Sequence, residues 1–378
     1  MDDIWREQFD ESPGYLDFAR VGPPSRAVVE ESAALLGRVA SAGMSTVDDL
    51  MTCDDRARAA VARLCGAVAE RVVLLPHTSQ GLFQAAFSVP AGEVLVSASE
   101  FPANTYPWAR AERAGRLTVR WLRVPAVTPA VVASALTTDT TVVSVSAVDF
   151  RTGYRADLAA LREVVGDRLL VVDGIQGVGV VDEPWEVADV LVCGGQKWLR
   201  AGWGTGFAVL SERALARLEP LISGWTGAAD PGLFDDEIHE IAPDARSWSV
   251  SNLSPVTAGA LARALELAEE IGPAVIAGRI TDRVAELDEV LRSGGARIVS
   301  ATDRRAGILA FQVPGRTAAE VATALADVEV TATIRPDQVR LSPHASTGPD
   351  AVERVRAALA DPRLTGSGSS TYRAGPSH

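Results

Sequence analysis

The chain has 378 residues, of which 47% are hydrophobic and 22% are charged, a composition typical of a globular protein and not of a disordered one. Its formal net charge of −13 argues against a nucleic-acid partner, because phosphate binding requires a basic surface. No apolar stretch reaches the roughly 18–20 residues that span a bilayer. The acidic first residues also lack the basic and apolar regions of a signal peptide, so we expect a cytoplasmic protein with no membrane partner.

Cysteine and histidine are scarce. The three cysteines, Cys53, Cys65 and Cys193, follow no spacing of a disulfide framework and suit a reducing compartment. With four histidines in the whole chain, a histidine-rich metal site is not expected. We therefore expect neither disulfides nor a bound metal.

Helical and strand-like patterns alternate along the first two thirds of the chain. Amphipathic helices are predicted over 26–42 and 54–70, the second capped by Asp54 or Asp55. Short strands follow, with helices between several of them: strands at 72–75, 94–97, 118–123, 141–146, 169–173, 189–193 and 207–210, and helices at 80–88, 103–114, 128–136 and 156–165. This alternation predicts an α/β fold whose mostly parallel seven-stranded sheet is covered on both faces and binds ligands at the carboxyl ends of its strands.

A second, smaller α+β unit is predicted from Pro255 onward. Its pattern contains helices at 256–272, 274–293, 317–326 and 349–360 and strands at 307–312, 328–333 and 338–342. We therefore divide the chain into an N-terminal arm (1–25), a large domain (26–254), a small C-terminal domain (255–364) and a polar tail (365–378) that we expect to be disordered.

Lysine is almost absent from the chain. Of the 36 lysine and arginine residues, Lys197 is the only lysine. A GC-rich coding bias explains the use of arginine on the surface, and it leaves Lys197 as a position where arginine does not suffice. An amine can lose its proton and attack a carbonyl, whereas a guanidinium stays protonated at neutral pH. We therefore predict that Lys197 takes part in covalent chemistry.

Three predicted strand ends carry candidate reactive groups. Asp173 ends a buried strand, Gln176 follows three residues later, and Lys197 lies in the glycine-rich turn after the next strand. Thr78 and Ser79 lie where a strand turns into a helix, whose free N–H groups favour a phosphate. Singly, each group has an ordinary explanation as a turn former or helix cap. Together they fit pyridoxal 5′-phosphate (PLP), with the lysine as the Schiff-base amine and the aspartate keeping the pyridine nitrogen protonated.

A set of segments in fixed order also resembles a known family. The segments are YLDFARVGP (15–23), HTSQG (77–81), SEFPANTYPW (99–108), VSAVDFRTG (145–153), VVDGIQGVG (171–179), GGQKWLRAGWGTGF (194–207), ISGW (222–225) and VRLSPH (339–344). They resemble the class V aminotransferases, PLP-dependent enzymes that include cysteine desulfurases, kynureninases, isopenicillin N epimerase-like proteins and C–S lyases. The resemblance covers about residues 15 to 362 and implies the fold-type I architecture, in which a large domain carries the sheet and a smaller one follows.

The resemblance implies a role for each candidate at the cofactor. Lys197 matches the Schiff-base lysine, which also moves the α-proton, and Asp173 matches the partner of the pyridine nitrogen. Gln176 matches the group that hydrogen-bonds the phenolic oxygen of the cofactor. Thr78 and Ser79 match the phosphate-binding turn.

Four further residues receive roles from the same resemblance. Phe101 falls where relatives stack an aromatic or histidine side chain on the pyridine ring. Asn252 falls in the stretch whose small polar residue reaches the phosphate of the second subunit, which implies a homodimer with shared sites. Arg340 matches the arginine that binds the substrate α-carboxylate, and Arg335 is the alternative for that role.

The sequence departs from the family pattern at several positions. The region before Arg340 contains no cysteine, which disfavours the persulfide chemistry of cysteine desulfurases. Gln196 and Gly194 replace a histidine and a serine of many relatives, so that one phosphate contact is missing or comes from Arg151 or His77. Asp149 or Arg151 is a candidate to face the substrate side chain, with a turn-forming role for the aspartate left open.

Transamination, racemisation and β-elimination with C–S cleavage remain as possible reactions, because fold and cofactor do not separate them. We prefer β-elimination from an S-substituted L-cysteine or its sulfoxide through the Lys197 Schiff base and a quinonoid intermediate. The alternatives are an aminotransferase or an epimerase, and a catalytically silent regulatory protein of the PLP fold. A dinucleotide-binding protein is disfavoured, because the required G-x-G-x-x-G after the first strand is missing.

Overall fold

The structure of the protein is a computed structural model, which is described for residues 5–365. Seven strands form its central sheet. They are β1 (Val72–Leu74), β2 (Glu93–Ser97), β3 (Thr118–Leu122), β4 (Thr140–Ser146), β5 (Leu169–Asp173), β6 (Val190–Gly194) and β7 (Gly206–Leu210). Their order is β1-β7-β6-β5-β4-β2-β3, and only β7 runs antiparallel to its neighbours. The predicted mostly parallel seven-stranded sheet is confirmed.

Helices cover both faces of this sheet, because successive apolar side chains of each strand point to opposite sides. Val142 packs with one helical layer and Val143 with the other. The α-helices whose bounds lie within the described residues from Arg26 onward are α1 (Arg26–Ala40), α2 (Thr46–Cys65), α3 (Thr78–Ser88), α4 (Tyr106–Arg113), α5 (Pro129–Ala135), α6 (Leu158–Val165), α7 (Glu212–Arg217), α8 (Pro255–Ile271), α9 (Pro273–Ser293), α10 (Ala318–Asp327), α11 (Pro349–Leu359) and α12 (Pro362–Thr365). Between residues 5 and 365 no helix is both long and apolar enough to cross a bilayer.

The predicted bounds of α2, at 54–70, are wrong. The helix begins eight residues earlier, at Thr46, and ends at Cys65. Asp54 lies in the middle of the helix and pairs with Arg58 at 3.3 Å instead of capping an N-terminus. Gly66 ends the helix with a φ of 65°, the left-handed conformation that favours glycine.

Four short antiparallel strands form a second sheet, in the order β10-β11-β9-β8. They are β8 (Arg297–Ile298), β9 (Leu309–Gln312), β10 (Thr333–Ile334) and β11 (Val339–Leu341). The strand predicted at 328–333 is wrong over most of its length, because α10 continues to Asp327 and the N–H groups of Val328 and Val330 still bond to the Leu325 carbonyl. Strand β8 was not predicted, since two residues carry no detectable periodicity.

The expected domain boundaries stay predictions. Helix α8 begins at Pro255, and its buried residues Leu261 and Leu265 belong to the same apolar cluster as Ala57 and Val61 of α2. The expected disordered tail, residues 365–378, lies outside the described residues except for its first position, as do residues 1–4 of the arm.

Residues 15–23, which we call the arm segment, contact both sheets. The Leu16 N–H donates to the Thr331 carbonyl (3.0 Å), and the Leu16 carbonyl accepts from the Ser342 N–H (2.7 Å). At its other end, the Gly22 N–H donates to the Gln196 carbonyl (2.9 Å). A Cβ at Gly22 would lie 1.9 Å from the Lys197 carbonyl oxygen, so only glycine permits this close approach.

A buried arginine fastens the beginning of the arm to the turn that follows β6. Arg200 is 3% exposed, pairs with Glu11 at 2.5 Å and donates to the Pro23 carbonyl at 2.6 Å and to Ser346 Oγ at 2.7 Å. Its guanidinium carbon lies 3.6 Å from the centre of the Phe9 ring. These contacts join three distant parts of the chain around one buried charge.

Replacing Glu11 by alanine leaves the Arg200 guanidinium buried without its carboxylate. We expect the free energy of unfolding to fall by about 3–5 kcal/mol, the usual effect of breaking a buried ion pair from one side. Urea denaturation followed by tryptophan fluorescence measures this change. The control is Asp10→Ala, which removes an exposed ion pair with Arg26 and should leave the urea midpoint almost unchanged. Equally small shifts in both variants would contradict the prediction.

Candidate active site

A cavity of about 660 Å³ lies at the carboxyl edge of the seven-stranded sheet. The end of β5, the turn after β6 and the beginning of α3 form one side, and the arm segment with β10 and β11 forms the other. The cavity brings together eight of the residues singled out from the sequence: Thr78, Ser79, Phe101, Asp173, Gln176, Lys197, Arg335 and Arg340.

Lys197 lies in a tight turn directly after β6. The Arg200 N–H donates to the Lys197 carbonyl at 3.1 Å, and a Cβ on Gly195 would lie 2.4 Å from Thr205 Oγ1. Glycine therefore allows the turn to fold back on itself. The Lys197 Nζ atom lies 5.3 Å from the centre of the Phe101 ring, inside the cavity.

The surroundings of Lys197 favour its uncharged amine. Burial lowers the pKa of Lys197 to about 8, opposed by Asp173 and reinforced by Arg340 and Arg335. An uncharged amine is the form that attacks a carbonyl. The structure thus provides a physical reason for lysine, and not arginine, at this position.

Asp173 is a buried carboxylate at the end of β5. It is 2% exposed, and its Oδ1 accepts the Ile175 N–H at 3.0 Å. Burial raises the pKa of Asp173 to about 6, against the lowering effects of that hydrogen bond and of Lys197. No ion pair of this carboxylate occurs within residues 5–365, so it is available to a ligand that carries an N–H group or a positive charge.

Gln176 makes two protein hydrogen bonds at the cavity wall. Its Nε2 donates to the Ala19 carbonyl at 3.0 Å, and its Oε1 accepts from Trp198 Nε1 at 2.6 Å. These bonds fix the amide between the arm segment and the turn after β6. Because an amide nitrogen carries two hydrogens, one N–H remains for a ligand.

The N-terminus of α3 presents an unsatisfied hydroxyl. Thr78 is 4% exposed, and its Oγ1 is buried with no hydrogen-bond partner, as is Oε1 of Gln196. His77 caps the helix, its Nδ1 accepting the Gln80 N–H at 3.1 Å, while Ser79 lines the cavity beside it. A buried hydroxyl without a partner is costly, and at a helix N-terminus it fits an anionic ligand.

Arg340, on β11, is held by groups that the sequence did not single out. It is 3% exposed and donates to the Phe150 carbonyl (2.9 Å), to Thr333 Oγ1 (2.9 Å) and to Asp17 Oδ1 (3.4 Å). Asp17, in the arm segment, is equally buried and also accepts from Thr333 Oγ1. Asp17 therefore neutralises and orients Arg340. Its place in the segment YLDFARVGP was the only available signal for this role.

Phe101 is 39% exposed and lies edge-on to Phe150, with ring centres 5.1 Å apart. The preceding residue, Glu100, positions this loop, because its carboxylate accepts the Ser146 N–H at 3.0 Å and the Ser146 hydroxyl at the end of β4. The exposed face of Phe101 lines the cavity. This placement fits a side chain that packs against a flat ligand.

The structure does not bring Asp149, Arg151 or Asn252 to this cavity. The Asp149 Oδ1 accepts the N–H groups of Arg151 (2.8 Å) and Thr152 (2.7 Å), and Oδ2 pairs with Arg151 at 2.9 Å. These hydrogen bonds fit the turn-forming role that the sequence left open for Asp149, and a role of Asp149 or Arg151 at the substrate side chain stays a prediction. Asn252 lines a separate cavity of about 330 Å³ beside Trp225, and its expected contact with a second subunit stays a prediction.

All three cysteines are buried away from the cavity. Cys53 and Cys65 belong to α2, and Cys193 lies near the end of β6 with its side chain in the apolar core. Burial raises the pKa of each thiol. The chain therefore offers no thiolate to a ligand in the cavity.

The chain matches known proteins over most of its length. The family model described as aminotransferase class-V matches residues 23–334. The chain is 31% identical over 284 residues to a kynureninase of Deinococcus radiodurans, covering 69% of this chain and 67% of the relative. It is 26% identical over 333 residues to isopenicillin N epimerase of Streptomyces clavuligerus. This match covers 80% of this chain and 83% of the relative.

The chain belongs to the class V aminotransferase family. Its fold is similar to that of the cystine C–S lyase C-DES, which was solved in complex with cysteine persulfide. The TM-score is 0.84 and the sequence identity 19%, and the match covers 92% of this chain and 97% of that one. The fold-type I architecture, the enzyme class and the dependence on PLP are thereby confirmed. The free amine of Lys197, the unpaired carboxylate of Asp173 and the unsatisfied hydroxyl of Thr78 fit this cofactor.

Replacing Thr78 by valine removes the unsatisfied hydroxyl and retains the shape of the side chain. We expect the dissociation constant for PLP to rise about tenfold, as on loss of a hydrogen bond to a charged group, while the cofactor-free protein keeps its melting temperature. Fluorescence titration and thermal denaturation measure the two quantities. The matched control is Thr205→Val, because the Thr205 hydroxyl donates to the Gly202 carbonyl at 2.6 Å and its loss should destabilise the cofactor-free protein. If Thr78→Val lowered the melting temperature of the cofactor-free protein, the Thr78 hydroxyl would have a hydrogen-bond partner within the protein, which would contradict the prediction.

Cofactor-free protein should react with aldehydes through Lys197 at an unusually low pH. Since burial lowers the pKa of this amine to about 8, the reactive uncharged form increases as the pH rises through 8, well below the range of an exposed lysine. Acetaldehyde with cyanoborohydride, followed by intact mass measurement, records the rate at each pH. Lys197 is the only lysine. In Lys197→Arg the N-terminal amine is therefore the only primary amine left, and its modification rate is the background to subtract. A half-maximal rate near pH 10 would contradict the prediction.

Proposed function

We propose that the protein is a C–S lyase that eliminates the sulfur substituent from Cβ of an S-substituted L-cysteine or its sulfoxide. The proposal rests on one combination: the cavity contains a lysine whose pKa is lowered by burial to about 8, and none of the three cysteines of the chain lines it. Without an enzyme thiol to accept sulfur, the sulfur departs together with its own substituent. This distinguishes the proposed reaction from that of a cysteine desulfurase.

In this proposal five side chains hold the cofactor. Lys197 would bind it covalently, Asp173 would pair with its pyridine nitrogen, and the remaining N–H of Gln176 would hydrogen-bond its phenolic oxygen. Thr78 and Ser79 bind its phosphate at the N-terminus of α3, where backbone N–H groups and the helix dipole favour negative charge. When bound, PLP withdraws electrons from the substrate Cα and makes its proton acidic.

Substrate recognition and proton transfer are assigned to two residues. Arg340 binds the α-carboxylate and thereby orients the Cα–H bond toward Lys197. The substrate amino group would first replace Lys197 on the cofactor, which would free the Lys197 amine to take the proton from Cα. The bond between Cβ and sulfur would then break with its electron pair on sulfur, and the proton would pass to the leaving thiolate, or to the leaving sulfenate in the case of a sulfoxide. Hydrolysis of the remaining three-carbon fragment consumes one water and yields pyruvate and ammonium, so that atoms and charges balance.

A homodimer is part of the proposal. Between residues 203 and 238, several large apolar side chains are exposed: Trp203, Trp225, Leu233, Phe234 and Ile238. Trp225 and Phe234 line the same cavity as Asn252. Exposed apolar side chains in this number are typical of an interaction surface, and Asn252 would then act on the site of the second subunit.

The reaction is tested by adding an S-alkyl-L-cysteine to the holoenzyme and following the visible cofactor band and pyruvate together. We expect pyruvate, ammonium and the free alkyl thiol to accumulate in equal amounts while the band persists, because elimination regenerates the cofactor at each turnover. Treatment with a thiol-alkylating reagent beforehand should leave the rate unchanged, since all three cysteines are buried outside the cavity. The control Lys197→Ala should lose both the aldehyde-linked band and the turnover.

Three outcomes would contradict the lyase assignment. Conversion of the band to a stable pyridoxamine form, reversed by a 2-oxo acid, would identify an aminotransferase. Exchange of the α-proton with solvent and appearance of the D-amino acid without pyruvate would identify an epimerase. No spectral response to any amino acid would favour a regulatory protein of the same fold.

A further inference from the structure

Arg335 is a second arginine of the cavity, and it differs from Arg340 in having no counter-charge. It follows β10, and its N–H donates to the Gln338 carbonyl (2.8 Å) in the turn that leads to β11. Its guanidinium carbon lies 5.2 Å from the centre of the Phe150 ring, and its Nε is buried without a hydrogen-bond partner. Within residues 5–365 no carboxylate forms an ion pair with it.

The two arginines therefore offer different binding capacities. Arg340 already shares its charge with Asp17 and its hydrogen bonds with Thr333 and the Phe150 carbonyl. Arg335 is held in place by stacking on Phe150, which leaves its N–H groups unused. A fork of N–H groups fixed in this way matches a carboxylate, with which it forms two parallel hydrogen bonds.

The charge of Arg335 also acts on the reacting end of the cavity. It contributes to lowering the pKa of Lys197 and of Arg340, which shows that its positive charge is felt by both groups. Arg335 is half-buried, and its Nε atom is buried without a hydrogen-bond partner. An unsatisfied buried N–H group is costly, and a bound anion would offset this cost. Apolar side chains also line the cavity, among them Ala332 and Ile334, which are close to Arg335 along the chain, and Trp203.

We infer that the substrate carries a second carboxylate at the end of its sulfur substituent and that Arg335 binds it. The apolar walls then face the methylene groups between sulfur and this carboxylate. The inference rests on the proposed function for the amino-acid end of the substrate, where Arg340 binds the α-carboxylate. Arg335 would thus determine specificity and take no part in proton transfer.

The test compares S-(2-carboxyethyl)-L-cysteine with its uncharged isostere S-(2-carbamoylethyl)-L-cysteine. Stopped-flow recording of the initial change in the visible band gives a dissociation constant for each compound on the holoenzyme before turnover. We expect the acid to bind at least about tenfold more tightly than the amide, as for a charge-assisted hydrogen bond. In Arg335→Gln this preference should fall to about one, with the affinity for the amide retained, and Arg335→Lys should restore part of it.

Arg20→Gln is the comparison variant, because Arg20 also lines the cavity but is exposed. Loss of the preference in Arg20→Gln and not in Arg335→Gln would overturn the inference. If Arg335→Gln weakened the binding of the acid and of the amide equally, Arg335 would bind the α-carboxylate instead. If the variant lost the visible cofactor band, Arg335 would bind the cofactor phosphate. Either result overturns the inference.

The same data separate this inference from the proposed reaction. If neither compound yields pyruvate but the acid is still preferred through Arg335, the lyase assignment fails and the second carboxylate site stands. If both compounds yield pyruvate with equal kcat/KM and equal dissociation constants, the lyase assignment stands and the second carboxylate site is excluded.

Discussion

The contact of the arm segment with both sheets is the constraint on which the cavity depends. Asp173 ends strand β5 of the seven-stranded sheet and Lys197 lies in the turn after β6 of the same sheet, whereas Arg340 belongs to the second sheet. The arm segment bonds to Gln196 beside the reactive lysine and, through Leu16, to residues that flank β10 and β11. Asp17 of the same segment neutralises Arg340. One stretch of backbone therefore sets the distance between the amine and the guanidinium.

Burial governs the chemistry of the two ionisable groups closest to the proposed reaction. It lowers the pKa of Lys197 to about 8 and raises that of Asp173 to about 6, because a low-dielectric environment disfavours the charged form of both. Lys197 thus has a reactive uncharged amine, and Asp173 has no ion-pair partner within residues 5–365. A cofactor with a carbonyl carbon and a ring nitrogen that can be protonated satisfies both at once, which links the electrostatics of the cavity to membership of a PLP-dependent family.

The periodicity of apolar residues along the chain predicted most of the helices and strands, because these elements depend on neighbouring residues. The seven strands of the main sheet and most helices follow from apolar periodicity, and Lys197, Asp173 and Thr78 were identified as strand-end groups. The errors have local causes as well. Asp54 resembles a cap but lies within α2, because an acidic residue followed by an apolar repeat occurs both at helix starts and inside amphipathic helices. Asp149 is not such an error, because the sequence left a turn-forming role open beside a role at the substrate, and its hydrogen bonds to the N–H groups of Arg151 and Thr152 fit the turn-forming role.

The amino-acid sequence by itself determined the sheet, the reactive lysine and the class of cofactor, since these depend on short-range periodicity and on residue chemistry at strand ends. Only the tertiary structure decided how the two arginines differ. Asp17 and Arg340 are 323 positions apart, and nothing in the spacing of a linear chain shows that the Asp17 carboxylate neutralises Arg340 and that Arg335 forms no ion pair with a carboxylate of residues 5–365. Such pairing arises from the meeting of the arm segment and the second sheet, and it is therefore a property of the folded chain alone.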